Sequence, residues 1–197
     1  MKKLVTFAGI VVVILGIAAF NQAYRLHRLA DSYAQNTRSV RQTLIDRGVR
    51  PINWRLLEET KGEFESVPDY PPAVKKLTGK NVTAVGYGIP ITGVSRSTFN
   101  AHQRASMLPL PTPVLKLLLG HTHAEKFQGV TEFILTPLPL ECYWKKVPPL
   151  NQAIYVRTAK PIELTKGTAI AATGTFDLRE QDGPKFFYVL EDAELAL

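Results

Sequence analysis

The sequence predicts a mainly β fold: a small five-stranded OB-like barrel, preceded by a single N-terminal transmembrane helix and a helical stalk. Three observations carry that prediction. All fourteen prolines lie at or beyond Pro51, so an unbroken helix is permitted before it. Leu4–Phe20 is seventeen residues without a charge, with Thr6 its polar residue. Beyond residue 80, short runs rich in Val, Ile, Thr, Tyr and Phe recur, several alternating polar with apolar. A length of 197 residues suits one such domain plus an appendage.

Residues 1–24 read as a membrane anchor. Lys2 and Lys3 precede the apolar run, which at about 1.5 Å per residue reaches ~25 Å, the short end for a ~30 Å hydrocarbon core. Asn21–Tyr24 extend it, with Tyr24 where interfacial aromatics sit. A cleaved signal peptide is the competing reading, for which Ile17-Ala18-Ala19 and Asn21-Gln22-Ala23 are poor cleavage patterns. Residues 25–48 then read as a juxtamembrane helical stalk ending at Gly48, a C′ glycine. Leu26, Leu29 and Tyr33 fall at i, i+3, i+7, followed by Val40 and Leu44 four apart, with Arg25, Arg28, Arg38 and Arg41 flanking. This narrow stripe is either the weakly apolar face of a solvated stalk or a contact for a neighbouring membrane subunit, its arginines at lipid phosphates. Charge leaves orientation a near tie, Lys2, Lys3 and the amino terminus standing against Arg25, Arg28 and Arg38.

Residues 49–80 form an irregular lead-in with a short helical turn, marked by Pro51, Pro68, Pro71, Pro72 and clustered glutamates. Residues 81–197 form the barrel domain. Its strands are expected at Asn81–Ile91, Val130–Thr136, Gln152–Thr158, Thr168–Leu178 and Lys185–Glu191, with a tight turn at Asp182-Gly183. Gly86, Gly88 and Gly174 inside strands suit a strongly bent barrel. Gly93–Gly129 is an insert too long for a hairpin loop. Within it Thr112, Pro113 and Gly120 frame a two-turn helix whose residues include Val114, Leu115, Leu117 and Leu118. That greasy surface packs on its own barrel or contacts a partner.

The net charge of +7 invites a nucleic-acid reading, but its distribution does not support one. Residues 1–50 carry eight basic and two acidic side chains, net +6; the remainder carries sixteen and fifteen, net +1. The basicity belongs to the tether, and the domain has no strong phosphate-tracking charge. A single cysteine excludes a disulfide framework and any multi-cysteine cage. His121 and His123, two apart, can share a face of an extended segment, with Cys142, His102 or Glu125 as the available third ligand; two loop histidines and a small buried thiol are the plainer reading. Thr83–Gly88 shares letters with a potassium-channel filter, but one apolar run cannot supply the second span a filter needs.

A longer pattern is also present. Gly86-Tyr87-x-x-Pro90-Ile91, Glu132-Phe133-Ile134-Leu135-x-Pro137, Cys142 and Pro148-Pro149-x-Asn151-Gln152-x-x-Tyr155-Val156, opened by Trp54-x-x-Leu57 and closed by Ala171–Gly174, resemble bacterial domain-of-unknown-function family 3299. The resemblance covers about residues 50–192 and implies an exported or lipid-anchored domain, hence a periplasmic side; some members are encoded beside ABC-transporter components. Trp54, Gly86, Glu132, Cys142, Asn151 and Gln152 are the matching motif residues. Trp144 stands where the family commonly has a histidine, and Lys145-Lys146-Val147 where it runs prolines. A Cys-x-His site is therefore not expected here.

The expectation is a non-catalytic, membrane-anchored subunit or accessory of a larger membrane complex, single-pass in the inner membrane. It has membrane lipid and integral membrane subunits as partners, no nucleic acid and no cofactor. Leu26, Leu29, Tyr33 and the Val114–Leu118 apolar residues are the expected contacts. The alternative is a periplasmic metal-handling or ABC-transport accessory protein using His121, His123 and Cys142.

Overall fold

Strands β1 (Asn81–Pro90), β2 (Lys126–Thr136), β3 (Ile154–Thr165), β4 (Ala169–Leu178) and β5 (Tyr188–Leu195) close into a barrel in the order β1-β2-β3-β5-β4. β3 and β5 run parallel, and every other neighbouring pair is antiparallel. That connectivity is a five-stranded Greek-key barrel of OB type. This computed structural model describes residues 17, 20, 21, 24, 28, 31–63, 68–92, 126–139, 149–178 and 186–196. Two compact units divide the chain, Met1–Asn36 and Thr37–Leu197. Among the described residues no helix is long and apolar enough to cross a membrane. Of the Leu4–Phe20 run only Ile17 and Phe20 are described, both helical.

Alternation along the strands decides what fills so small a barrel. β1 and β4 turn small residues inward (Ala84, Gly86, Gly88, Ala172, Gly174), while β2, β3, β5 and the end of β4 supply Phe133, Leu135, Ile154, Val156, Tyr188, Leu190 and Phe176. Small faces large across the interior, the arrangement that fills a narrow barrel. Gly86 is obligatory for closure: a Cβ there would collide with the Thr136 carbonyl oxygen across the β1–β2 pair. Gly174 plays the matching part opposite β5, where a Cβ would lie 2.6 Å from the Glu191 carbonyl.

One end of the barrel is plugged by the lead-in. Helix α2 (Trp54–Glu58) starts at Asn53, whose side-chain oxygen accepts from the Arg55 N–H at 3.2 Å, and helix α3 (Pro72–Lys75) begins with proline in its first turn. They bury Leu57 and Val74, and Tyr70 lies edge-on to Phe187 with ring centroids 6.4 Å apart. The Tyr188 hydroxyl donates to the Leu57 carbonyl at 2.7 Å and the Tyr70 hydroxyl to the Phe187 carbonyl at 2.9 Å. Burial pushes the Tyr188 phenol up to about 12.

Helix α1, described over residues 31–46, ends in a Schellman cap. Gly48 has φ 79°, its N–H donates to the Ile45 carbonyl at 2.9 Å, and the Val49 N–H donates to the Leu44 carbonyl at 2.9 Å. Leu44, Val85 and Ala171 form a second apolar cluster, with Val40, Val49 and Ala196 against it. The lower half of the stripe, Val40 and Leu44, is thus spent on the outer surface of β1 and β4. Thr37 donates to the Tyr87 hydroxyl at 3.1 Å, and Trp54 Nε1 to the Val85 carbonyl at 2.7 Å.

Three strands have boundaries that differ from expectation. β2 begins at Lys126, within what the sequence suggests is the 93–129 insert. Gln128-Gly129 looks like loop, but it forms a bulge: two residues oppose Glu163 alone, and Gly129 takes φ 69°. β3 continues past Thr158 to Thr165 because Thr158–Pro161 swing out against Thr131 alone, which accommodates Pro161 without a missing ladder bond. β5 starts at Tyr188 and ends at Leu195, later than Lys185–Glu191, because it pairs with both β3 and β4 as far as the closing Ala172↔Leu195 pair. The Asp182-Gly183 turn and the Val114–Leu119 helix lie outside the described residues.

Candidate functional site

The inward set of β2, β3 and β5 makes the core, so the outward set is fixed by the period of two. Cross-strand register lines up Ile89, Ile134, Tyr155 and Val189 in one row across β1, β2, β3 and β5. The next positions along β2 and β3 bring Glu132 opposite Arg157. On β5, a register shift sets Glu191 and Asp192 against Arg157, with Asp192 at φ 50°. That bulge aims the Glu191 carboxylate at the arginine.

The result is a layered platform on the outer face. Phe186 stacks on Tyr155, centroids 5.4 Å apart and planes 18° from parallel. The Arg157 guanidinium carbon lies 5.4 Å from the centre of the same Tyr155 ring. Arg157 Nη1 donates to Glu191 Oε1 at 2.9 Å, and its Nε lies 3.6 Å from Glu132 Oε1. Tyr155 itself is buried, whereas Arg157, Glu132 and Glu191 stay 45%, 33% and 36% exposed in their side chains.

Electrostatics follows from that layering. Burial pushes the Tyr155 phenol above its ordinary value; Arg157 works against the shift and Glu132 with it. Arg157 is raised in turn, first by the Tyr155 phenol and then by the Glu191 carboxylate. One cation shared between two carboxylates leaves the platform net negative by one charge. Its arginine is already engaged, so the platform is no anion-binding site. Exposed ion pairs of this kind stabilise a fold by only about 0.2–1 kcal/mol each. Stability alone therefore gives little reason for ordering an arginine here, whereas arginine and tyrosine are the residues that dominate protein–protein contacts.

The motif residues divide into two groups. Asn151 Nδ2 donates to the Glu58 carbonyl at 2.9 Å and lies 3.4 Å from the Thr60 carbonyl, and Gln152 Nε2 lies 3.4 Å from Glu58 Oε1. Together they tie the 3₁₀ turn Leu150–Gln152 to the open end of α2. Trp54 and Gly86 are likewise structural, the first fixing the lead-in to β1 and the second closing β1 on β2. Glu132, with Tyr155 of the same longer pattern, belongs to the platform.

Tyr33 is half-buried on α1. Leu26, Leu29, Val114, Leu115, Leu117, Leu118, His121, His123 and Cys142 lie outside the described residues. Among the described residues no three His, Cys, Asp or Glu side chains converge as a metal site. The sequence reading did not single out Phe186, Arg157 or Glu191. Alternation of Ile154, Tyr155, Val156 and Arg157 signals the outward pair, but the Glu191 contact depends on the parallel β3–β5 register, which no local pattern reveals.

No known family profile matches the chain, and no curated protein does. The chain is similar to the crystal structure of a DUF3299 family protein from Pseudomonas aeruginosa PAO1, with 19% sequence identity, a TM-score of 0.36, and 75% of this chain and 83% of that one covered. That is the family whose motifs this sequence resembles.

Proposed function

We propose that this protein is a non-catalytic, membrane-tethered subunit or accessory of a larger membrane complex, with its barrel making protein contacts on the periplasmic side. The observation that carries the reading is the outer platform. Phe186, Tyr155 and Arg157 are stacked and held in place by Glu132 and Glu191, yet the charged layer is left half-solvated. An ordered arginine above a buried aromatic offers a partner a rigid surface at small entropic cost. The tether is supported by the uncharged Leu4–Phe20 run and the +6 charge of residues 1–50. The periplasmic side is the one the motif resemblance implies. The apolar Val114–Leu119 stretch of the insert is the second contact under this reading.

The test is gentle solubilisation of membranes containing the full chain, followed by native electrophoresis. Comigration with one complex, weakened by Arg157→Met and by deletion of the insert, is the expected result. Migration as a monomer, with neither change altering its associations, overturns it. Stoichiometric Zn²⁺ or Cu²⁺ uptake by the wild-type chain, lost when His121 and His123 are both replaced by alanine, would favour the metal-handling alternative instead.

A further inference from the structure

Ile17, Phe20 and Tyr24 are all helical and all strongly exposed, at 58%, 72% and 53%. Their spacing of three and four residues puts them on one face of the helix. Arg28, four residues further along the same face, sets its guanidinium carbon 5.7 Å from the centre of the Tyr24 ring. Side chains on a helix lean towards its N-terminus, so Arg28 reaches back towards the apolar run rather than away from it. Along the axis the order is therefore aliphatic, phenyl, phenol, guanidinium, with about 6 Å for each step of four residues. This is the polarity profile of one bilayer leaflet read from acyl chain to phosphate.

We propose that Tyr24 and Arg28 together form a phospholipid headgroup site. The Tyr24 ring lies at the glycerol level, and the Arg28 guanidinium, held over that ring, donates to the phosphodiester oxygens of an anionic lipid. The inference rests on the membrane-tether reading above and adds to it a ligand and the residues that take it. A guanidinium suits the task because its planar fork pairs two phosphate oxygens while its flat face rests on the aromatic ring. Charge complementarity makes the occupant a lipid rather than another apolar helix, since Arg25 also falls next to this ring of the tether in sequence. The pair fixes the depth at which the helix leaves the membrane, because the ring resists moving into water and the guanidinium resists moving into hydrocarbon.

The experiment uses the full chain purified in mild detergent, titrated with phosphatidylglycerol or phosphatidylcholine and read by native mass spectrometry. The wild-type chain should retain phosphatidylglycerol in preference to phosphatidylcholine. Arg28→Gln should lose about fivefold of that preference, the loss expected for one surface arginine. Tyr24→Ala should lose it similarly and Tyr24→Phe should keep it, because the ring and not the hydroxyl supports the guanidinium. Arg38→Gln, removing the same charge ten residues further along the sequence, should change nothing. Equal retention by wild type and Arg28→Gln overturns the inference, as does displacement of the lipid by millimolar inorganic phosphate, which marks a soluble-anion site. Alkaline carbonate extraction separates the two readings: release of the wild-type chain overturns the tether itself, whereas a chain that stays in the membrane with an inert Arg28 overturns only the headgroup site.

Discussion

The two outer faces of this barrel are built from strands of one closed sheet, yet they end differently. On β1 and β4 the outward residues at the centre are Val85 and Ala171, small and aliphatic, and the chain covers them with its own Leu44, Val40 and Val49. On β2, β3 and β5 the outward residues are Ile134, Tyr155 and Val189, finished by an arginine between two glutamates. An aliphatic patch gains most by being removed from water, and the nearest segment does that. On the second face Phe186 covers the Tyr155 ring, and the charged layer of Arg157, Glu132 and Glu191 stays partly solvated, which costs little. The first face serves the fold; the second is the one proposed for contact.

Variants separate the faces by size of effect. Gly86→Ala stands above either, because it pushes β1 from β2 and so disturbs the closure both faces depend on. It should cost about 3 kcal/mol or more in denaturant unfolding. A cost under about 1 kcal/mol would mean that the strands part easily there. Leu44→Ala removes the residue that seats α1 on the barrel and should cost about 2–3 kcal/mol. Amide exchange should then rise over residues 37–46 while the β2–β3–β5 amides stay protected; uniform loss of protection would make the helix end part of the core instead.

Much of the first face is readable in the amino-acid order. The Val40 and Leu44 stripe, the Gly48 stop and the alternation of β1 and β4 are all local patterns, and local patterns survive folding. Its cover is not readable, because nothing in the stripe says whether its partner is a neighbouring subunit or Val85 on the same chain. The platform is less legible still. Glu132 meets Arg157 only after the Gly129 bulge and the Thr158–Pro161 loop-out have set the β2–β3 register. Glu191 arrives only through a parallel pairing across another bulge. Asn151 and Gln152 stand out as a motif, but their work is to close the end of α2, which is visible only once the 3₁₀ turn and the helix are side by side.

Buried Tyr188 adds a test by pH. Tyr188 sits in the interior with its pKa raised from 10.0 to about 12, so the native state binds its proton more tightly than the unfolded chain. Its contribution is therefore complete below pH 10 and falls away as pH rises towards 12. Unfolding midpoints measured between these pH values should decline, and Tyr188→Phe should flatten that decline. An unchanged slope in the variant would place the alkaline sensitivity elsewhere.

The smallest effect on stability belongs to the platform, and it is the most informative. Arg157→Met keeps the stem over Tyr155 and removes the charge shared by Glu132 and Glu191, so unfolding should shift by less than about 1 kcal/mol. Native electrophoresis of gently solubilised membranes, run on the full chain with and without this change, bears most directly on the barrel as a contact module. The wild-type chain should comigrate with one membrane complex, and Arg157→Met, folded and still in the membrane, should be depleted from it. A wild-type chain that migrates alone, or an Arg157→Met chain that stays fully associated, would contradict the assignment of that face.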